Sequence, residues 1–307
     1  MESSITIRLG TRASALARWQ AEWVASRLAE LGTTVELVPI TTTGDREQRG
    51  PIGSLGSQGV FTKEIQRALL DERIDLAVHS LKDLPTEPIE GLCLAVVPER
   101  ETVRDALICR EATSLADLPS GARIGSGSLR RRSQLLHHRP DLVVADIRGN
   151  VDTRLSKLDD GQYDVICLAE AGLKRLELAY RISELIPPEI MLPAIGQGAL
   201  GLETREGDDT TRTALAPLNH AETHAAVIAE RAMLSALHGG CLAPIAAWGR
   251  FENGNLVLTG RVLSVDGTQQ IEATEIAADG DGAELGRLVA QRLVEQGADD
   301  LIATARG

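Results

Sequence analysis

Aromatic side chains are scarce in this chain of 307 residues. They make up 2% of it: Trp19, Trp23, Trp248, Tyr163, Tyr180, Phe61 and Phe251. The core must therefore be aliphatic, built from Ala, Leu, Ile and Val. Single-stranded nucleic acid is bound on aromatic stacking platforms, so this scarcity argues against that class. Lysine is equally rare. Lys63, Lys82, Lys157 and Lys174 are the four, which leaves 28 of the 32 basic residues as arginine. The four cysteines, Cys93, Cys109, Cys167 and Cys241, form no C-x-x-C pair, so a zinc or thioredoxin-type site has no support. So few cysteines in so long a chain also argue against a disulfide framework. No apolar run approaches the ~20 residues of a membrane span. The opening MESSITIRLG has neither a basic nor an apolar signal region, so no secretory signal is expected and the cytoplasm is the expected compartment.

What remains is a globular composition, 43% hydrophobic and 25% charged, with a formal net charge of −12. At ~100–200 residues per domain, two or three domains are expected. A chain this acidic does not attract polyanions non-specifically. Its arginines gain interest from that background, because guanidinium is the bidentate partner of carboxylate and phosphate.

The N-terminal two-thirds alternates short apolar runs with helical patterns. Residues 5–9, 35–40, 74–79 and 92–97 read as strands, and 14–31 and 62–72 as helices, with Gly32 as a helix stop. Residues 41–59 hold five glycines and few apolar side chains, and read as a long loop. Long loops in compact domains usually have a functional role. The polar stretch 98–105 reads as a crossover, after which the same pattern restarts. Strands are expected at 106–109, 123–125, 142–146 and 164–168, and helices at 129–138, 151–159 and 170–178. Residues 196–201 (GQGALG) read as a second crossover, back to the first lobe. Alternating strands and helices imply a parallel or mixed α/β sheet. The last third reads differently: a helix over 221–237 ended by Gly239–Gly240, strands at 243–250, 255–263 and 269–276, a hairpin turn at Asn253–Gly254 and a helix over 284–296. That is an α+β module. No internal repeat is evident.

Several motifs carry chemistry. In VHSLKDLP (78–85), an apolar strand delivers His79, Ser80, Lys82 and Asp83 to the turn at its carboxyl end, where open α/β sheets bind ligands. A hydroxyl, an ammonium and a carboxylate so close together bind an anion and move a proton. In GSGSLRRR (125–132), backbone N–H groups at a helix start, Ser126 and Ser128 make an anion site. Arg130, Arg131 and Arg132 there cover three helix faces, so at most two reach one ligand. Arg148 follows a strand, Arg154 lies in the next helix, and Arg175 lies near the start of a further helix. With Arg12 and Ser14 after the first strand, these arginines suggest a pocket for a ligand with several carboxylates or phosphates. Cys241, behind two glycines, reads as a loop thiol, while the other cysteines sit inside strands. His220 and His224 are spaced i, i+4 but lack an evident third ligand, so no metal is expected.

Taken together and in order, VHSLKDLP, GSGSLRR, RGNVDTRLSKL (148–158), LPAIGQGALG (192–201) and GGCLAPI (239–245) resemble the porphobilinogen deaminase family, over about residues 5–303. The resemblance implies an α/β fold of two lobes like type II periplasmic-binding-protein domains, with mixed sheets, plus a small C-terminal α+β domain. The implied domains are 1–98 with 196–217, 105–192, and 218–307. It implies condensation of four porphobilinogen molecules, with loss of ammonia, into linear hydroxymethylbilane for tetrapyrrole and haem synthesis. It also implies a monomer and a dipyrromethane cofactor held by a thioether, with Cys241 the matching residue. Asp83 matches the catalytic aspartate. Arg12, Ser14, Gln20, Ser80, Lys82, Ser126, Ser128, Arg130, Arg131, Arg148, Arg154, Arg175 and Gln197 match cofactor and substrate contacts. Gln58, Phe61 and Lys63 fall at the end of the family's active-site loop. Two departures stand out: Gln58 replaces the family's common lysine, and Gly127 replaces a hydroxyl residue. Neither touches Asp83 or Cys241. Two rivals remain: a non-catalytic cytosolic binding protein for a small polycarboxylate, which gives Asp83 and Cys241 no task, and a nucleic-acid-binding module, which charge and aromatic scarcity oppose.

Overall fold

A computed structural model describes residues 5–41, 62–238, 243–277 and 281–306. Gln58, Phe61 and Cys241 lie outside those residues, as do the Gly239–Gly240 helix stop and nearly all of the glycine-rich loop. The chain divides into two compact units, Met1–Arg100 with Ala199–His224, and Glu101–Gly198 with Ala225–Gly307.

The first unit opens with β1 (Thr6–Thr11), α1 (Ala15–Glu30), β2 (Thr34–Pro39), α2 (Lys63–Leu70), β3 (Leu76–Ser80) and β4 (Leu92–Val96). The second follows with β5 (Asp105–Cys109), β6 (Arg123–Gly125), α3 (Leu129–His138), β7 (Val143–Ala145), α4 (Val151–Asp159), β8 (Val165–Ala169), α5 (Glu170–Arg175) and β9 (Glu184–Ile186). The chain returns to the first unit for β10 (Leu200–Arg205) and α6 (Asp209–Leu215). Then come α7 (Ala221–Ala236), β11 (Ile245–Glu252), β12 (Asn255–Leu263), β13 (Gln270–Ala277), α8 (Gly282–Glu295) and α9 (Ala298–Arg306).

The first unit's sheet runs β2-β1-β3-β10-β4, and the second unit's first sheet runs β7-β6-β8-β5-β9. In each, the first three strands are parallel and the fourth is antiparallel to both its neighbours. The antiparallel strand comes late in the chain in one sheet and first in the other. This shared topology is not visible as a sequence repeat. The third sheet, β11-β12-β13, is antiparallel, and its first hairpin turns through Asn253 (φ 51°) and Gly254 (φ 80°), the two left-handed positions of a type I′ turn. The fold is α/β, with two lobes built on mixed sheets and a small α+β module.

Alternation along the strands feeds a core on each sheet face. On β3, Leu76 and Val78 join a cluster with Ala21, Val24 and Leu28 of α1. Ala77 between them faces Ile65, Ala68 and Leu69 of α2. On β5, Leu107 packs with Leu135 of α3, while Ala106 and Ile108 pack with Leu155 and Leu158 of α4. The α+β module has its own cluster, centred on Met233, Leu258, Val289 and Leu293.

Four elements are absent from the sequence reading: β9, β10, α6 and α9. The apolar pattern of β10 is broken by Gly201, Glu203 and Thr204. Gly201 is required there, because a Cβ would meet the side chain of Leu81 at 2.6 Å. Glu203 is buried because Gln66 and His79 bond its carboxylate.

Candidate functional site

In the first unit, the carboxyl ends of β1 and β3 build a hollow lined by Arg12, Ser14, Gln20, Ser80 and Asp83, with Thr62, Ile65 and His79. Five of the residues expected from sequence thus meet in one place. Ser14 is the N-cap of α1, its Oγ accepting the Ala17 N–H at 3.3 Å. Its own O–H stays available to a ligand. Gln20 is buried on α1, and its Nε2 donates to Ser80 Oγ at 2.7 Å. Lys82 and Asp83 lie in the 3₁₀ turn Leu81–Asp83 that follows β3. Asp83 is exposed and Lys82 half-buried. Lys63 is exposed at the first position of α2.

His79 differs from expectation. It does not reach the turn but lies within β3, with its Nε2 2.9 Å from Glu203 Oε2. Gln66 Nε2 donates to the other Glu203 oxygen at 3.0 Å. The strand runs two residues further than its apolar stretch because this carboxylate satisfies the imidazole inside the fold.

In the second unit, residues 125–132 form the expected strand–turn–helix. Ser128 caps α3, its Oγ accepting the Arg131 N–H at 3.4 Å, and buried Ser126 accepts the Ser128 N–H at 3.3 Å. A Cβ at Gly127 would stand 3.2 Å from the Ile147 carbonyl oxygen, a tight fit for the side chain that the resemblance leads one to expect there.

Arg130 and Arg131 both turn inward onto Asp105, which is fully buried. Arg130 Nη1 donates to Asp105 Oδ2 at 2.8 Å and to the Leu192 carbonyl at 2.7 Å. Arg131 donates to Asp105 Oδ1 from Nε at 3.0 Å and Nη2 at 2.7 Å, and to the Cys167 carbonyl from Nη1 at 2.9 Å. Gln197 Nε2 adds a bond to Asp105 Oδ1 at 3.1 Å and another to the Val103 carbonyl at 2.7 Å. Burial alone would raise the Asp105 carboxyl, but the two guanidiniums overcome it and hold the group far below the usual carboxylate range. Two cations against one anion leave a single positive charge in this cluster. Arg130 Nε is buried with no partner among the described residues. Asp105 is a residue the sequence reading missed. The available signal was a carboxylate opening an apolar strand, which is costly unless paired.

Arg148 and Arg154 are half-buried. Arg154 Nε donates to the Gly149 carbonyl at 2.8 Å, and Lys157 Nζ donates to the Arg148 carbonyl at 3.0 Å. Arg175 ends α5 rather than beginning a helix, since α5 stops at that residue and Glu177 turns through φ 60°. Burial pushes the Arg175 guanidinium down to about 10, so it remains cationic at neutral pH. Its Nη2 donates to the Gly198 carbonyl at 2.7 Å. His220 and His224 are occupied at the start of α7, facing Thr223 Oγ1 and Asn219 Oδ1, each at 2.8 Å. Among the described residues, no cluster of three or more His, Cys, Asp or Glu is arranged to hold a metal ion. Cys167 is buried on β8, whereas Cys93 and Cys109 are half-buried on β4 and β5.

Comparison with known proteins gives a full-length match. Residues 7–213 match the family model described as "Porphobilinogen deaminase, dipyromethane cofactor binding domain", and residues 224–295 match "Porphobilinogen deaminase, C-terminal domain". The chain is 51% identical over 303 residues to the porphobilinogen deaminase of Syntrophotalea carbinolica, covering 98% of this chain and 96% of the relative. It is 49% identical over 299 residues to that of Geobacter metallireducens, covering 97% and 94%. Among solved structures, the methionine-binding protein MetQ superposes with a TM-score of 0.45 at 15% identity, over 71% of this chain and 92% of its own.

Proposed function

From the premise that this chain belongs to the porphobilinogen deaminase family, we propose how its residues divide the work. The activity is that of a hydroxymethylbilane synthase, a transferase that condenses four porphobilinogen molecules head to tail with release of ammonia. Its N-terminal part, residues 7–213, is the family's dipyrromethane-binding region. The rival reading as a non-catalytic polycarboxylate-binding protein has no observation in its favour.

Asp83 is the acid–base residue. A proton passed to the aminomethyl nitrogen of porphobilinogen lets the C–N bond break and ammonia leave. The methylene carbon left behind is cationic, and the ionised carboxylate stabilises it together with the pyrrole N–H of the attacking ring. The new C–C bond then forms, and the hydrogen displaced from the attacking carbon leaves as a proton. The observation that supports this reading is the hollow in which Asp83 shares a wall with Arg12, Ser14, Gln20 and Ser80. It offers a proton-transfer group beside cationic and hydroxyl donors, at the strand ends where α/β sheets bind ligands. Lys82 supplies a further cation on the same turn.

Each porphobilinogen carries an acetate and a propionate, so a growing product accumulates carboxylates. Arg130, Arg131, Arg148, Arg154 and Arg175 are the partners assigned to them, with Ser126, Ser128 and Gln197 as hydrogen-bonding neighbours. The dipyrromethane, with four carboxylates, fits the same donor set: the cluster at Arg130 has a residual positive charge and an orphaned buried Nε–H. When bound, the cofactor supplies the pyrrole end from which the product grows. A thioether to Cys241 is its proposed attachment. Three domains (1–98 with 196–217, 105–192, and 218–307), a monomer and a cytoplasmic location complete the proposal. No helix among the described residues is long and apolar enough to cross a membrane.

The test is the intact mass of the protein beside its Cys241→Ser variant, before and after incubation with porphobilinogen. A gain of two pyrrole units in the wild type, absent from the variant, supports attachment at Cys241. The same gain in both overturns it.

A further inference from the structure

We propose that Asp105 is a positioning residue for the carboxylate-binding arginines, holding Arg130 and Arg131 in place and setting their joint charge to one unit. This rests on the reading of Arg130 as a carboxylate contact. Asp105 touches no ligand in it and acts through its neighbours.

The geometry carries the argument. Asp105 opens β5 and is completely buried. Its two oxygens accept four N–H bonds, three at Oδ1 from Arg131 and Gln197 and one at Oδ2 from Arg130. A lone carboxylate in that environment would be prohibitively desolvated. With two guanidiniums on it, the cluster becomes a fixed cation. The arginines play different parts. Arg131 directs three donors inward, to Asp105 and the Cys167 carbonyl. Arg130 commits only its Nη1 hydrogens inward, while its Nε finds no partner among the described residues. Arg131 is therefore the brace and Arg130 the arm.

A flexible arginine must be ordered when it grips a carboxylate, and that entropy weakens binding. Asp105 has met this cost beforehand. It also cancels one of two adjacent charges, so the cluster suits a single carboxylate. Arg132, next in sequence, is not among the donors to Asp105, which explains why three consecutive arginines give one arm.

The test is a double-mutant cycle of Asp105→Asn and Arg130→Gln. It reads the rate of covalent cofactor loading by intact mass after addition of porphobilinogen, KM for porphobilinogen, and the unfolding midpoint. Loss of a charge-assisted bond predicts loading slowed about tenfold or more and KM raised by about the same factor in Asp105→Asn. The double variant is expected to be no worse than Arg130→Gln alone. Additive losses in the double variant, or a lowered midpoint with loading and KM like the wild type, overturn the proposal. Wild-type loading and KM in Arg130→Gln instead defeat the reading of Arg130 as a ligand contact, a separate failure. Should Asp105→Asn not fold, Asp105→Asn/Arg131→Met retains the single positive charge and is compared with Arg131→Met. Slower loading than Arg131→Met supports the positioning role, and equal loading overturns it.

Discussion

Gln20 Nε2 donates to Ser80 Oγ at 2.7 Å, tying helix α1 to the end of strand β3 across 60 residues of sequence. Because the amide donates, the Ser80 O–H must find its acceptor elsewhere, and the hollow beside Asp83 is what it faces. Gln20→Ala is expected to raise KM for porphobilinogen roughly fivefold, as loss of about 1 kcal/mol of orientation predicts, with a smaller change in kcat. Steady-state kinetics separate the two. An unchanged KM would remove Gln20 from the site.

Asp83 is exposed at the end of a short turn, where a neutral isostere disturbs little packing. Asp83→Asn is expected to lower kcat by about 10²–10⁴, the usual worth of a general acid–base group. Its unfolding free energy should stay within about 0.5 kcal/mol of the wild type. Ammonia release and a denaturant titration on the same preparation check both halves. Turnover at the wild-type rate would reassign the proton-transfer role.

Asp83, Ser80 and the capping Ser14 were legible in the sequence because short-range rules govern them: an apolar strand must end, and a helix start needs a cap. Arg130 and Arg131 were legible as residues but not as partners. What turns them inward is Asp105, 25 and 26 residues away in sequence, and no periodicity marks a buried ion pair. The same holds for β10, where Glu203 looks like a surface residue until His79 and Gln66 are placed around it. Arg175 was misplaced within its helix because Leu176 and Leu178 continue the apolar pattern past the point where α5 stops. The two lobes share a topology that their sequences do not display, since a sheet order constrains burial rather than residue identity.

Asp75 links Arg8 and Arg205, with Nη2–Oδ1 distances of 2.7 and 2.8 Å. Burial by itself would raise its pKa, and the hydrogen bonds from the two arginines outweigh that, lowering it to about 2. A folded-state pKa below the unfolded value of 3.8 stabilises the protein at higher pH. That stability is complete above about pH 4 and is lost as pH falls towards 2. Discounted for partial solvent screening, the contribution is roughly 1–2 kcal/mol. Asp75→Asn should be less stable at neutral pH and lose less on acidification through this window, as urea titrations at pH 7, 4 and 3 would measure. Parallel pH curves for the two proteins would contradict it.

Gly198 separates a backbone requirement from a packing requirement. It sits at φ +86°, and a Cβ there would run into the carbonyl oxygens of Glu101 and Thr102. Its own carbonyl accepts from buried Arg175 at 2.7 Å, so displacing the loop also releases a buried cation. Gly32, behind α1, has a similar φ of +82° but nothing within 4 Å of the same position. Gly32→Ala therefore meets left-handed strain alone, about 1–2 kcal/mol. Gly198→Ala adds overpacking of about 1–3 kcal/mol, and is expected to be the more destabilising of the two by that margin. The disturbance to Arg175 should also raise KM in Gly198→Ala while leaving it unchanged in Gly32→Ala. Denaturant titration and kinetics on the pair test this. Equal stability losses would mean that the Glu101–Thr102 backbone yields to a methyl group, and that the GQG return is not held as tightly as its contacts imply.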